Sequence, residues 1–201
     1  MGPGEDASRW DLDVMDHREF PAGWGLLHQS VCAHTRPPNR LSASMTPKDE
    51  PARLLARYDR VKKQLQDLFT TVTDPVSRMA SAAALVHGKM PHHSWTGFYR
   101  RDGADLLVGP YQGPLACMLL ERGVGACWAC CAQERAIVVP DVRSFEGHIA
   151  CDPRTRSEVA LPVRDSDGVV CAVLDVDSTR LDAFSDADVQ GLKIIAALIY
   201  A

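Results

Sequence analysis

The apolar residues of this chain change their period twice, and that change limits the folds open to it. Leu54, Tyr58, Val61, Leu65 and Leu68 recur at spacings of four and three, one face of an amphipathic helix. Thr46-Pro47-Lys48-Asp49 supplies a capping hydroxyl, a first-turn proline and an acid ahead of it. A second helix is expected to open at Asp74-Pro75, run through an alanine-rich stretch to Val86 and stop at Gly88. Four strand-like runs follow: Ser94–Arg100, Asp105–Val108, Pro114–Leu120 and Ala136–Val139. A hairpin then pairs Glu158–Arg164 with Val169–Ser178 across Asp165-Ser166-Asp167-Gly168. The last helix starts at Ser185 with Asp188 three residues on, and its stripe is Val189, Leu192, Ile195, Ala196 and Ile199. Helices at both ends of an antiparallel run predict an α+β domain, with one antiparallel sheet and helices on one face. The other face is free to carry a ligand pocket.

With 201 residues, the chain has room for one such domain and some additional length. Residues 1–45 carry scattered Gly, Pro, Ser and Arg around isolated apolar points at Trp10, Trp24 and Leu26-Leu27, too few for a core. They are expected to be a poorly ordered N-terminal extension, and residues 46–201 the folded, catalytic domain. A net charge of −4 leaves no basic footprint for nucleic acid. The longest apolar run, Ile194–Ala201, is too short to cross a bilayer, so no membrane association is expected. Met1-Gly-Pro-Gly-Glu-Asp lacks a basic stretch leading into an apolar one, so a cytoplasmic location is expected.

Seven cysteines sharpen the question, because six of them lie between Cys117 and Cys171. A reducing compartment favours metal binding, redox chemistry or inert buried thiols over a disulfide framework. Cys127-Trp128-Ala129-Cys130-Cys131 contains a C-x-x-C spacing, for which His148 and Cys151 are the nearby candidates to complete a zinc site. The plainer reading has Cys130 and Cys131 packed as small hydrophobes in a short helix. Cys151 stands in Gly147-His148-Ile149-Ala150-Cys151-Asp152-Pro153, a loop by its Gly, Pro and Asp content. There, His148 is placed to favour the nucleophilic thiolate. An unreactive surface thiol and a Cys–His hydrolase fit the same pair.

The carboxylates narrow the choice. In Ala172-Val173-Leu174-Asp175-Val176-Asp177 a period of two puts Val173, Asp175 and Asp177 on one face. Beside Glu158 of the paired strand, these acids repel one another, and at least one pKa rises. One member then holds a proton for a departing oxygen while an ionised one binds an ammonium group, which suits a small zwitterion. In Trp95-Thr96-Gly97-Phe98-Tyr99, Trp95, Gly97 and Tyr99 share a face. The glycine is expected to leave a gap between two rings, as core packing or as a pocket wall.

Residues 46–201 resemble the free methionine-(R)-sulfoxide reductases, small GAF-fold enzymes that act on the free amino acid. The resemblance rests on Trp95-Thr96-Gly97-Phe98-Tyr99, Gly109-Pro110-Tyr111-Gln112-Gly113, Ala116-Cys117, Gly147-His148-Ile149-Ala150-Cys151-Asp152, Ser157-Glu158 and Leu174-Asp175-Val176-Asp177-Ser178. The three family cysteines fall on Cys117, Cys127 and Cys151.

This resemblance implies a single GAF domain and a catalytic set of Cys151, Cys117 and Cys127. A Cys151 thiolate attacks the sulfoxide sulfur, a protonated carboxyl among Glu158, Asp175 and Asp177 protonates the oxygen, and Cys151 becomes a sulfenic acid. Cys117 then condenses with it to a disulfide that thioredoxin reduces, drawing on NADPH through thioredoxin reductase. Trp95 and Tyr99 are expected to hold the S-methyl end of the substrate. No bound cofactor or metal is expected, a homodimer is, and the activity belongs with defence against oxidative stress. Whether Cys151 or Cys127 attacks first is left open, as is glutaredoxin in place of thioredoxin. Around the middle cysteine the chain has Gly125-Ala126-Cys127-Trp128 where the family has Gly-Val-Cys-Gly. Cys130, Cys131 and Cys171 are additional. The competing readings are a non-catalytic GAF sensor of small ligands and a zinc module on Cys127 and Cys130.

Overall fold

The computed structural model describes residues 50–148 and 151–201. The extension expected over residues 1–45 and the Thr46-Pro47-Lys48-Asp49 cap lie outside the described residues. Helix α1 spans Glu50–Leu68 and buries Tyr58, Val61 and Leu65. Leu68, expected on that stripe, is 55% exposed, and Phe69, four residues on from Leu65, packs inward instead at 9%. Helix α2 spans Pro75–Lys89 and opens on Asp74, whose carboxylate accepts from the Ser77 amide at 2.7 Å. It runs through Gly88 rather than stopping there. A Cβ at Gly88 would meet open space, so the glycine costs only helix propensity. Between the two helices the buried Arg78 donates to the carbonyls of Val72, Phe69 and Ile199, which satisfies a charge that burial would otherwise penalise.

Six strands among the described residues form one antiparallel sheet: β1 Trp95–Asp102, β2 Asp105–Gln112, β3 Leu119–Leu120, β4 Ile137–Val139, β5 Ser157–Arg164 and β6 Val170–Ser178. Their order is β3-β2-β1-β6-β5-β4. Strand β2 continues past the expected end at Val108. The register between β1 and β2 shifts between Gly97 and Tyr99, opposite Gly109-Pro110, and a bulge tolerates a residue with no N–H. The expected Pro114–Leu120 strand shrinks to two residues paired with Leu106 and Leu107, so Cys117 sits in the connecting loop. The β5–β6 turn is held by Asp165, whose Oδ1 accepts from the Asp167 and Val169 amides, and Gly168 takes a φ of +80°.

Helices α1, α2 and α4 (Asp186–Ala197) cover one face, packing on Phe98, Leu161, Leu174 and Val176. Ser185 and Asp188 form the expected capping box. A fourth helix, α3 at Gly125–Gln133, lies against the opposite face. Its Ala126, Cys127 and Cys130 join a second cluster with Val139, Ala160 and Val173. The three long helices cover one face as expected, and the short α3 walls the pocket on the other. No described helix is long and apolar enough to cross a membrane.

Candidate active site

Period-two alternation delivers the acids as expected. Asp175 and Asp177 point from β6 to the α3 side of the sheet, and Glu158 stands directly opposite Asp177 in the β5–β6 ladder. Trp95 and Tyr99 come from β1 on the other flank of β6, with Trp95 opposite Asp177 and Gly97 opposite Asp175. These five side chains line one pocket with Cys127, His148, Cys151, Asp152 and Thr155. Every substrate-binding residue named from the sequence reaches this hollow.

The aromatic wall differs in detail. Gly97 does not leave a gap: a Cβ there would come within 2.3 Å of Tyr111 Cβ and 2.4 Å of the Trp95 ring. The indole lies over the glycine, stacked between Tyr99 at 5.9 Å and Tyr111 at 5.3 Å between centroids. Tyr111 joins the wall without being a predicted site residue; its pairing with Gly97 at the edge of the bulge is a tertiary fact. Tyr99 also donates from its hydroxyl to the Cys117 carbonyl at 3.3 Å, so it holds the cysteine loop as well as the wall.

Burial sets the electrostatics. Loss of water, then the neighbouring charges of Glu158 and Asp177, holds the Asp175 carboxyl well above the usual carboxylate range. Asp177 is raised by burial first and then by Glu158 and Asp152. Asp175 Oδ1 and Trp95 Nε1 are buried with no hydrogen-bond partner among the described residues, polar atoms that a polar ligand would satisfy. His148 turns its Nδ1 to Glu158 Oε2 at 3.5 Å.

The three matched cysteines have unequal settings. Cys117 and Cys151 are joined in a disulfide, with Cα atoms 5.5 Å apart. Cys127 is a free thiol, 3% exposed, in the first turn of α3. Burial, then Asp175 and Glu158, pushes it well above the ordinary thiol value. Its sulfur and one oxygen each of Glu158 and Asp175 lie within 4.8 Å of one another. A helix N-terminus favours thiolate, but two acids and exclusion of water outweigh it here. Cys127 is thus a protonated thiol in the pocket wall. Cys130 is buried too, its thiol pushed up to about 12 by burial first and then by Cys131, so the short-helix reading describes it. The proposed zinc set is not assembled: among the described residues the Cys127 sulfur gathers with Glu158 and Asp175 rather than with Cys130 and His148. His148 faces Glu158, and a Cys–His hydrolase has no role for the Cys117–Cys151 bond.

Residues 63–200 match the GAF domain family. The chain is 34% identical over 140 residues to the free methionine-R-sulfoxide reductase of Escherichia coli (strain K12), covering 70% of this chain and 84% of that protein. It is 37% identical over 141 residues to protein YtsP of Bacillus subtilis (strain 168), covering 69% and 86%. A solved structure of free methionine-R-sulfoxide reductase from Neisseria meningitidis in complex with its substrate superposes with a TM-score of 0.69 at 34% identity, covering 80% of this chain and 93% of that one. On both sequence and fold, the chain belongs to the GAF-domain family, in the group of the free methionine-(R)-sulfoxide reductases.

Proposed function

We propose that this chain is an oxidoreductase that converts free L-methionine (R)-S-oxide to methionine through Cys151. The observation that carries the reading is the Cys117–Cys151 bond beside a pocket walled by Glu158, Asp175 and Asp177. A disulfide in that position is the state left after a two-electron reduction of substrate.

The chemistry follows from the groups in place. The Cys151 thiolate attacks the sulfoxide sulfur, and a proton from Asp175 or Asp177 goes to its oxygen. The burial that raises both acids keeps a proton available near neutral pH. Oxygen passes to Cys151 as a sulfenic acid and methionine departs. The Cys117 thiol attacks that sulfur, water leaves, and the disulfide forms. A dithiol reductant of the thioredoxin class then opens it by exchange and leaves both thiols reduced. Glu158 offers a carboxylate to the substrate ammonium, and Trp95 with Tyr99 offers an apolar wall to the S-methyl group.

The test is NADPH oxidation coupled through thioredoxin reductase and thioredoxin. Consumption is expected to require free methionine-(R)-sulfoxide, with the S epimer and peptide-bound sulfoxide inactive. No NADPH consumption, and no methionine formed with dithiothreitol as reductant, would overturn the reading. A glutaredoxin system run in parallel identifies the physiological reductant.

A further inference from the structure

Away from the pocket, the link between α2 and β1 brings His92 and His93 against Asp188 in the first turn of α4. His92 Nε2 lies 3.0 Å from Asp188 Oδ1. One ring nitrogen of each histidine and one oxygen of Asp188 lie within 4.8 Å of one another. Groups behind Asp188 and His93 fix the orientation of these two. The Tyr58 hydroxyl donates to Asp188 Oδ1 at 2.9 Å, and the Ser185 amide and hydroxyl donate to Oδ2 at 2.9 and 2.8 Å. His93 Nδ1 is 3.4 Å from Thr96 Oγ1. His93 is only 7% exposed, yet its Nε2 has no partner among the described residues. A buried imidazole nitrogen without a partner calls for a ligand.

We propose that His92, His93 and Asp188 bind one divalent transition-metal ion of the zinc class. Two imidazoles and one carboxylate suit a borderline ion, whereas calcium and magnesium prefer oxygen alone. Bonds of 2.0–2.1 Å in a tetrahedron put ligand atoms roughly 3.3 Å apart, so the 3.0 Å between His92 and Asp188 needs little change. Hydrogen bonds behind each ligand are the usual support of a metal site. The ion would exchange the His92–Asp188 hydrogen bond for two coordinate bonds and give His93 a partner. A groove bordered by Glu50, Arg57, His92, Asp182 and Asp188 opens the cluster to solvent, with charges of both signs on its walls. The ion would tie the link ahead of β1 to α4, a structural role separate from Cys151.

The test titrates the full, reduced chain with Zn²⁺, following melting temperature, and with Co²⁺, following its absorption spectrum. Expected are one equivalent per chain, a melting temperature that rises with free Zn²⁺, and a cobalt spectrum of nitrogen and oxygen ligation. His92→Gln and His93→Asn should each weaken binding at least tenfold, and Cys130→Ser should leave it unchanged. His92→Gln keeps an amide for Asp188, so it decides the matter alone if His93→Asn does not fold. Absence of binding would overturn the proposal. So would binding that survives His92→Gln or shows a sulfur-to-cobalt charge-transfer band, because the ion would then sit on the thiols.

Discussion

At the scale of single residues, three similar sulfurs do different work. Cys151→Ser is expected to abolish turnover, while Cys117→Ser should complete one turnover and recycle poorly. A burst of methionine without steady-state NADPH use is the signature; unchanged steady-state rates would remove Cys117 from the resolving role. Asp175→Asn separates stability from catalysis. The folded carboxyl holds its proton well above the ordinary carboxylate range, so its contribution to stability is complete below that range and is lost as pH rises toward the raised value. At neutral pH the amide removes that loss. The variant should melt higher than the parent protein at neutral pH, while turnover falls about 100-fold. The acids and cysteines were legible in the sequence because period two and loop chemistry are local. The state of Cys127 was not, since its burial and its two acidic neighbours come from elements distant in sequence.

Elements show where local reasoning stops. The long helices, the β5–β6 hairpin and both caps are written in apolar spacing and in Asp74, Ser185 and Asp188. Helix α3 is expected only as a short helix around Cys130 and Cys131; with no polar face to mark its period, its place on the sheet comes from packing. The gap expected at Gly97 failed similarly: which ring falls over a glycine is decided by neighbouring strands. Close approach between elements gives two tests. A Cβ at Gly191 would stand 2.1 Å from Tyr58 Cγ, so Gly191→Ala should push α4 off α1 and cost about 1–3 kcal/mol in denaturant unfolding. Gly97→Ala should displace the Trp95 indole toward the pocket and raise KM several-fold at a smaller cost in kcat. An unchanged KM would separate Trp95 from substrate binding.

For the whole molecule, the sheet divides the labour. One face carries the core that gives stability, and the other gives its central strands to a pocket of acids and rings closed by α3 and the cysteine loops. Stability and chemistry thus meet at β6, where Leu174 and Val176 face the core while Asp175 and Asp177 face the pocket. Two particular sulfurs supply the two electrons that reduce a free methionine sulfoxide; they end as one disulfide, and the sulfoxide oxygen leaves as water. Fully reduced protein should therefore be given one equivalent of free methionine-(R)-sulfoxide without reductant, quenched, alkylated and digested for mass mapping. One methionine is expected for each Cys117–Cys151 bridge, with Cys127 recovered as the alkylated thiol. Methionine formed alongside a bridge that contains Cys127, or a Cys117–Cys151 bridge formed without methionine, would contradict it.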